Sequence, residues 1–296
     1  MVKADYVIIS PVRNEAQFLG AAIASVVAQT VRPRLWVLVD DGSSDETGRI
    51  IEAAARGHEW IKAVRRADRG SRRAGSGVME AFYDGYRLVE GESWQFIVKL
   101  DGDLSFGPDY FEKCFEVFQV EPRLGIGGGT CCKSADGKTV PEFTGEPAFH
   151  VRGPSKIYRR ACFEAIGGLI KAPGWDTVDL IKANMLGWST RTFPEIKLIH
   201  HRPTGGAYSS WSNWTKNGFA NYVVGYHPLF MMLKCARRLF KRPYGLGALA
   251  LMVGFWRGYL RRIPQVDDRE VIRFLRRQQL NFLMGRKSLW KAETGS

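Results

Sequence analysis

The residues best suited to chemistry in this chain are two aspartates, Asp101 and Asp103, separated by one glycine. They follow Phe96 to Leu100, an apolar run rich in β-branched residues that predicts a buried strand. The carboxylates then lie at the C-terminal edge of a sheet, where open α/β folds bind ligands. Two such carboxylates repel each other unless a cation lies between them, and Mg2+ or Mn2+ prefers oxygen ligands. The pattern therefore predicts a divalent-cation site, although a solvated Asp-Gly turn has the same sequence.

Two further polar clusters follow predicted strands in the first half of the chain. Arg13 to Glu15 come shortly after the apolar strand Tyr6 to Ser10, and Asp40-Asp41 follow the strand Leu35 to Val39. Helical segments alternate with these strands, which indicates a mainly parallel sheet covered on both faces. The C-terminal ends of such strands meet at one crevice, so we expect the three clusters to form one ligand site. The helices of this half are predicted at about residues 16–29 and 77–89.

Two common phosphate-binding signatures are absent from the nucleotide-binding part that this pattern predicts. The first strand is followed neither by Gly-x-Gly-x-x-Gly nor by Gly-x-x-x-x-Gly-Lys-Ser/Thr. The segment Arg65 to Gly75 is instead dense in arginine and includes Arg69. Guanidinium groups match phosphate oxygens, so this segment is predicted to contact phosphate, with a solvated charged loop as the alternative.

Charge is distributed unevenly along the 296 residues, whose net charge is +13. Residues 202–296 hold 17 Lys and Arg against 4 Asp and Glu, while the remaining residues balance to zero. This segment also contains three apolar stretches at helical spacing, interleaved with bases and aromatic residues. Helices of that composition lie in membrane interfaces and attract anionic lipid. The alternative is a helical subdomain with a solvated basic face; no nucleic-acid-binding module is visible. The three helices are predicted at about residues 229–240, 245–260 and 271–284.

Cysteine usage and hydropathy indicate the compartment. The five cysteines form no metal-ligand or disulfide pattern, and their odd number suits a reducing environment. The N-terminus has no signal-peptide pattern, and no stretch approaches the roughly 18 apolar residues of a membrane span. We therefore expect a cytoplasmic protein that associates peripherally with the inner face of the cell membrane.

Several stretches, taken in order, resemble family 2 glycosyltransferases. They are Ser10 to Glu15, Ser25 to Thr30 and Val39 to Thr47, and Asp101-Gly102-Asp103 resembles the DXD motif of these enzymes. The resemblance covers roughly the first 200 residues. It implies an α/β fold of the GT-A type, a nucleotide-sugar-binding sandwich with a mainly parallel central sheet, followed here by a C-terminal helical region. The implied domains are residues 1–204, with a nucleotide half (1–104) and an acceptor half (105–204), and residues 205–296.

The resemblance also implies roles for the three clusters. Asp41 would accept a hydrogen bond from the base edge. Asp103 would hold Mn2+ or Mg2+ on the diphosphate, with Asp101 beside the ribose or as a second ligand. The residues implied to line the nucleoside pocket are Pro11, Arg13 and Glu15.

The general base of the family lies in a Glu-Asp pair, and this chain departs from that pattern. Trp175 replaces the glutamate, so Asp176 is the better candidate by spacing and Asp179 is the alternative. The two aspartates also resemble a helix capping box, with Asp176 as N-cap and Asp179 at N3. Further along, the resemblance implies that His200 or His201 completes the metal or diphosphate site, although paired histidines at a strand end are also commonly structural.

The sequence thus predicts a metal-dependent inverting glycosyltransferase of the hexosyltransferase type. It would move a sugar from a UDP- or GDP-sugar to a lipid-linked or polysaccharide acceptor in the synthesis of a bacterial surface polysaccharide or exopolysaccharide. One alternative is transfer to a polyprenyl phosphate, whose oxygen is already ionised. Another is a degenerate adaptor that binds glycan or membrane. A sugar nucleotidyltransferase is disfavoured because its glycine-rich activation loop is missing.

Overall fold

A nine-stranded sheet runs through the centre of the protein in a computed structural model, which describes residues 4–68, 70, 76–135, 138–202, 210–241 and 244–291. The strands of these residues are β1 (Tyr6–Val12), β2 (Leu35–Asp40), β3 (Ile61–Arg65), β4 (Phe96–Leu100), β5 (Leu104–Phe106), β6 (Leu124–Ala135), β7 (Lys138–Pro141), β8 (Ser155–Arg159) and β9 (Ser189–His200). Their spatial order is β3-β2-β1-β4-β8-β6-β9-β5, with β7 paired to β6.

The sheet has a parallel half and a mixed half. Strands β3, β2, β1 and β4 are parallel, so their C-terminal ends lie on one edge. Strand β8 then runs antiparallel to β4 and β6, whereas β6 and β9 are parallel. The short strand β5 pairs with the end of β9, with Leu104 opposite His200. This pairing brings the end of β9 beside the turn that follows β4.

Helices cover both faces of the sheet, as alternation of strands and helices predicts. Successive residues of the buried strand β1 point to opposite faces: Val7 and Ile9 belong to one core cluster, while Tyr6 and Ile8 belong to the other. The helices of the described residues are α1 (Ala16–Val27), α2 (Thr47–Gly57), α3 (Ser76–Tyr86), α4 (Tyr110–Val120), α5 (Arg160–Ala165), α6 (Trp175–Met185), α7 (Ser210–Val224), α8 (Pro228–Leu239), α9 (Leu246–Leu260) and α10 (Arg269–Leu283).

The predicted helices are present, and several end earlier than their apolar periodicity suggests. Helix α1 ends at Val27, and beyond it the Gln29 backbone amide donates to Val26 O instead of Ser25 O. The Gln29 side-chain Nε2 donates to Ser25 O and Gly107 O, both at 2.8 Å. Helix α3 likewise ends at Tyr86, three residues before the predicted end.

The C-terminal helices pack on the rest of the protein through one core cluster. That cluster joins Trp175 and Val178 of α6 to Tyr222 of α7, Phe255 of α9 and Val271 of α10. The predicted boundary at residue 204/205 falls within 203–209, outside the described residues, so its position stays a prediction. No helix in the described part of the chain combines the length and apolar character that crossing a bilayer requires.

Helices α7 and α9 approach each other closely because glycines face the contact. A Cβ on Gly254 would lie 1.9 Å from Thr215 O, and one on Gly218 would lie 2.0 Å from Leu251 O. Backbone thus packs directly against backbone, as in helix pairs that use small residues at their interface. The contact leaves no room for any side chain at these two positions.

We expect Gly254→Ala to lower the free energy of unfolding by about 1–3 kcal/mol, because the added methyl group must push α7 and α9 apart. Urea unfolding followed by circular dichroism measures this. Gly20→Ala is the matched control, since Gly20 lies on the exposed side of α1 with nothing within 4 Å of an added Cβ. It should stabilise by roughly 0.5–1 kcal/mol. Equal effects of the two substitutions would contradict the close packing of α7 on α9.

Candidate functional site

The loops that follow β1 and β2 are joined by hydrogen bonds into one unit. Asn14 adopts a left-handed φ of 52°, and its Oδ1 accepts from Ser44 N at 2.9 Å. The backbone amide of Asn14 donates to Ser43 Oγ (3.0 Å), and that of Glu15 donates to Thr47 Oγ1 (2.8 Å). The first two polar clusters of the sequence therefore form a single structure, because each supplies the partners that the other needs.

Arg13 links these two loops at the sheet edge. Its Nη1 donates to Asp41 O at 2.6 Å, and its Nη2 pairs with Asp68 Oδ1 at 2.7 Å. The Gly70 amide and then Arg13 hold the pKa of the Asp68 carboxyl below its usual range. Gly42, with φ at 73°, allows the close approach, since a Cβ there would lie 2.5 Å from Asp68 Cα. Pro11 is half-buried in β1 opposite Val39.

Arg66 is engaged with three acidic side chains. It pairs with Asp41 at 2.5 Å, with Asp84 at 2.6 Å and with Glu80 at 3.6 Å. This arginine therefore orients the Asp41 carboxylate and is not free for phosphate. Arg69, the residue predicted to contact phosphate, lies outside the described residues, so its role stays a prediction.

Three contacts hold the Asp101-Gly102-Asp103 turn in place. A Cβ on Gly102 would lie 2.7 Å from Val12 Cγ1, so only glycine fits between the two carboxylates. The Asp101 amide donates to Pro154 O at 2.8 Å. Lys99 Nζ forms an ion pair with the Asp101 carboxylate. Burial raises the pKa of Asp101, and the attraction of Lys99 opposes that rise.

Asp103 lies in a buried cluster of alternating charge. His200 Nε2 is 3.5 Å from Asp103 Oδ2 and His200 Nδ1 is 2.9 Å from Glu142 Oε2. Arg202 bridges Asp103, at 3.4 Å, and Glu15. Burial lowers the pKa of His200, but the two carboxylates outweigh burial and raise this pKa to about 10. Burial alone would raise the pKa of the Asp103 carboxyl. The attraction of His200 and Arg202 outweighs burial and lowers this pKa, so Asp103 is held ionised.

The acidic groups at this turn fit a divalent cation that is shared with a ligand. Asp103 Oδ1 is buried and has no hydrogen-bond partner among the described residues, so one carboxylate oxygen is left for a metal. Those residues hold no group of three metal-ligating side chains. Mg2+ and similar ions commonly bind through one or two carboxylates together with phosphate oxygens and water. The donor set therefore suits a metal that arrives with a diphosphate.

The two histidines have different surroundings. His200 is buried against Asp103, as described above. His201 is exposed, its Nε2 lies 2.8 Å from Ser105 Oγ, and its ring stacks on Phe18. Of the two predicted residues, His200 is the one that the fold brings to Asp103.

The N-terminus of α6 presents Asp176 beside the Asp101 turn. The helix begins at Trp175 after Gly174, whose φ of 83° makes it the N-cap without a side-chain bond. The predicted capping box is therefore wrong, because glycine occupies the cap and Asp176 becomes the second helical residue. Its Oδ2 would be 3.5 Å from a Cβ on Gly153, the residue whose carbonyl accepts from Lys99. Asp176 is half-buried and also favourably placed at the positive end of the helix dipole.

Asp179 is buried one turn further along α6. Its carboxylate accepts from Lys156 Nζ at 2.8 and 3.0 Å and from the Tyr158 hydroxyl at 2.6 Å. Lys156 Nζ also donates to Asp176 O at 2.6 Å. Burial raises the pKa of Asp179 and lowers that of Lys156, and their ion pair opposes both shifts. These contacts give Asp179 the surroundings of a positioning residue.

Trp175, the first residue of α6, lies against two lysines. Lys99 Nζ and Lys156 Nζ are 5.3 and 5.4 Å from the centre of its ring. Both lysines are buried, and they are cross-strand partners in the β4–β8 pair. The aromatic face attracts cations without carrying a formal charge, so the ring contributes to holding both lysines.

The sequence patterns did not identify the basic side chains that pair with the acidic groups. Lys99 interrupts the apolar strand β4, which is the available signal, because a buried lysine requires a partner. Lys156 lies among polar residues at the start of β8 and gave no such signal. Arg202 directly follows the paired histidines. Glu142 gave no signal, since it reaches His200 only through the pairing of β7 with β6.

We expect Asp179→Asn to lower the free energy of unfolding by about 3–5 kcal/mol, because it leaves the Lys156 charge buried without its counter-ion. Chemical unfolding measures the loss. The double variant Lys156→Met/Asp179→Leu should recover most of it, since removing both charges removes the burial penalty. A double variant no more stable than Asp179→Asn would contradict the ion-pair assignment.

The model of the family described as Glycosyl transferase family 2 matches residues 7–167, more than half of the chain. Over 114 residues, 38% of this chain, the sequence is 34% identical to an uncharacterised glycosyltransferase of Nostoc sp. (strain PCC 7120 / SAG 25.82 / UTEX 2576). That match spans 32% of the length of the Nostoc protein.

Two solved structures share the fold at low sequence identity. The mannosyltransferase PcManGT from Pyrobaculum calidifontis, in complex with GDP-Man and Mn2+, aligns with a TM-score of 0.54 at 17% identity, over 97% of this chain and 79% of that one. S. aureus TarS 1–349 in complex with UDP-GlcNAc aligns with a TM-score of 0.53 at 14% identity, over 90% and 78%. The predicted α/β fold of the GT-A type is thus confirmed, and the chain belongs to glycosyl transferase family 2.

Proposed function

We propose that this protein is a metal-dependent, inverting glycosyltransferase that uses a nucleotide-sugar donor. One observation supports the proposal: buried ion pairs hold the Asp101 and Asp103 carboxylates, and Lys156 holds the backbone of Asp176 near Gly153, whose carbonyl accepts from Lys99. Inverting transfer needs a site for a leaving diphosphate and a base on the acceptor side. Asp101 and Asp103 are proposed to serve the diphosphate through a bound metal, and Asp176 is proposed to serve as the base.

The donor nucleoside is proposed to bind between the loops after β1 and β2. Arg13 fixes the backbone of Asp41, and Arg66 orients its carboxylate, which would then accept from a base edge. Pro11 and Glu15 would line the same pocket. The similar solved structures support a nucleotide-sugar donor, because PcManGT is described with GDP-Man and TarS with UDP-GlcNAc.

The diphosphate is proposed to lie over the Asp101-Gly102-Asp103 turn. Asp103, with Asp101, would hold a Mn2+ or Mg2+ ion, which supplies positive charge to a leaving nucleoside diphosphate. The bound Mn2+ of PcManGT supports this choice of metal. His200 and Arg202 keep Asp103 ionised and add positive charge beside the leaving group. Lys99 opposes the rise that burial causes in the pKa of Asp101.

Asp176 is the proposed general base. Lys156 donates to the Asp176 carbonyl and to the buried Asp179 carboxylate, which ties down the first turn of α6, and the Asp176 carboxylate lies beside Gly153. From there Asp176 would take the proton of an acceptor hydroxyl as that oxygen attacks the sugar carbon. Asp179 is proposed to position this turn, since its oxygens are occupied by Lys156 and Tyr158.

The acceptor is proposed to be a lipid-linked saccharide or a polysaccharide in surface glycan synthesis at the cytoplasmic face of the membrane. The basic C-terminal helices support this location, because they adjoin α6 and would bring the site to an anionic surface. The domain division at residues 204/205 is proposed on the same composition. Transfer to a polyprenyl phosphate is the second candidate, and the base substitution described below distinguishes the two.

Donor binding is tested by a thermal-shift panel of UDP, GDP and CDP with Mn2+, Mg2+ or EDTA. We expect one nucleotide to raise the melting temperature only with metal, and Asp103→Asn to abolish that shift because it removes the charged ligand. Asp109→Asn is the control, since Asp109 is an exposed acid that pairs with Lys113. No shift with any nucleotide would refute the donor site and favour an adaptor.

The role of Asp176 is tested by Asp176→Asn in a transfer assay. We expect kcat to fall by roughly 10²–10⁴-fold, the usual contribution of a general base, with the nucleotide thermal shift unchanged. An acceptor analogue with an ionised phosphate would need no deprotonation. Unchanged transfer by Asp176→Asn would therefore exclude a hydroxyl acceptor activated by this residue and favour a polyprenyl phosphate.

A further inference from the structure

The exposed apolar surface of this protein is concentrated at its C-terminal helices. Of the 18 large apolar side chains that the described residues expose, 13 lie at or after Trp211. Five of these form one stripe along α9, spaced three or four residues apart, and we call this stripe the α9 outer face. It consists of Leu246, Leu249, Val253, Trp256 and Leu260.

The α9 outer face needs a partner that shields it from water, because α9 is apolar on nearly every side. Its opposite side is already occupied, since Gly254 and Leu251 pack on the backbone of α7. Arg257 is the single charged residue of the helix. A helix that is apolar all round is normally buried in protein or lipid, whereas Leu260 is 84% and Leu249 57% exposed.

The charges around this face indicate what covers it. Residues 196–266 contain eleven Lys or Arg and no Asp or Glu. Arg257, Arg261 and Arg262 are exposed in and just after the last turn of α9, and Lys241 is exposed five residues before its start. An apolar face with exposed bases at its C-terminal end, in a segment without acidic residues, is complementary to a bilayer with anionic headgroups. The same bases oppose a second copy of this chain, since like charges would then face each other.

The length of α9 decides how it meets a bilayer. Fifteen residues span about 22 Å, less than the ~30 Å of a hydrocarbon core. The helix is also fixed along its whole inner side by α7. It can therefore lie in the plane of the interface with its outer face among the headgroups and upper acyl chains, as amphipathic anchors do.

We infer that the α9 outer face is an in-plane docking surface for anionic bilayers. Helix α7 packs against both α9 and α6, and Val224 at the end of α7 lies against Gly174 at the cap of α6. Docking therefore places the N-terminus of α6, with Asp176, one helix layer from the lipid. This inference deepens the proposed function, which calls for a lipid-linked acceptor. Its test measures lipid binding alone, so failure would leave the transfer reaction unaffected.

The test is flotation of the full-length protein with phosphatidylcholine vesicles, with and without phosphatidylglycerol. We expect binding to the phosphatidylglycerol vesicles only, and weaker binding when salt rises from about 0.1 M to about 1 M, because the Debye length falls from about 10 Å to about 3 Å. Leu249→Glu/Leu260→Glu should weaken vesicle binding at least tenfold. Both side chains are exposed, so the variant keeps the interior packing intact.

The matched control is Leu88→Glu/Val120→Glu, which makes the same change of charge at two apolar residues of similar exposure, 47% and 81%, far along the chain from α9. It should bind vesicles like the wild type. Equal losses in the two double variants would show a general charge effect and overturn the inference. Failure of the wild type to bind anionic vesicles would overturn it too. So would a change in sedimentation, rather than in vesicle binding, on Leu249→Glu/Leu260→Glu, because the face would then contact a second copy.

Discussion

Two lysines buried side by side impose the constraint on which the site depends. Lys99 and Lys156 face each other across the β4–β8 pair, where like charges would destabilise the sheet unless each is compensated. Lys99 is compensated by Asp101, and Lys156 by Asp179. Trp175 supplies the remaining attraction through its ring. The acidic groups on the two sides of the site are therefore set by one buried charge arrangement.

Asp103 is also held by oppositely charged groups that are largely buried. His200 and Arg202 surround a single carboxylate, and Glu142 and Glu15 balance these two cations in turn. Each pair is largely buried, so removing one member would leave a charge in a poorly solvated position. A dication bound to Asp103 would alter this balance of charge.

The C-terminal helices have an inner face that is buried and an outer face that is exposed. Their inner residues complete the core around α6, which explains why Tyr222 and Phe255 are buried although they lie in the basic segment. Their outer residues leave an apolar face with basic surroundings. Glycines make this division possible, because Gly218 and Gly254 let α7 and α9 meet at backbone distance and turn the larger side chains outwards.

Sequence alone determined the order of strands and helices up to Leu100, the α/β class and the meeting of three polar clusters at one edge. These features depend on local periodicity and on the geometry of parallel strands, both readable from residues such as Asp101 and its preceding strand. The tertiary structure alone decided that Gly174 caps α6, and that Asp179 is buried against a lysine 23 residues earlier in the chain. Burial and ion pairing depend on which distant segments pack together, and single-residue patterns do not carry that information.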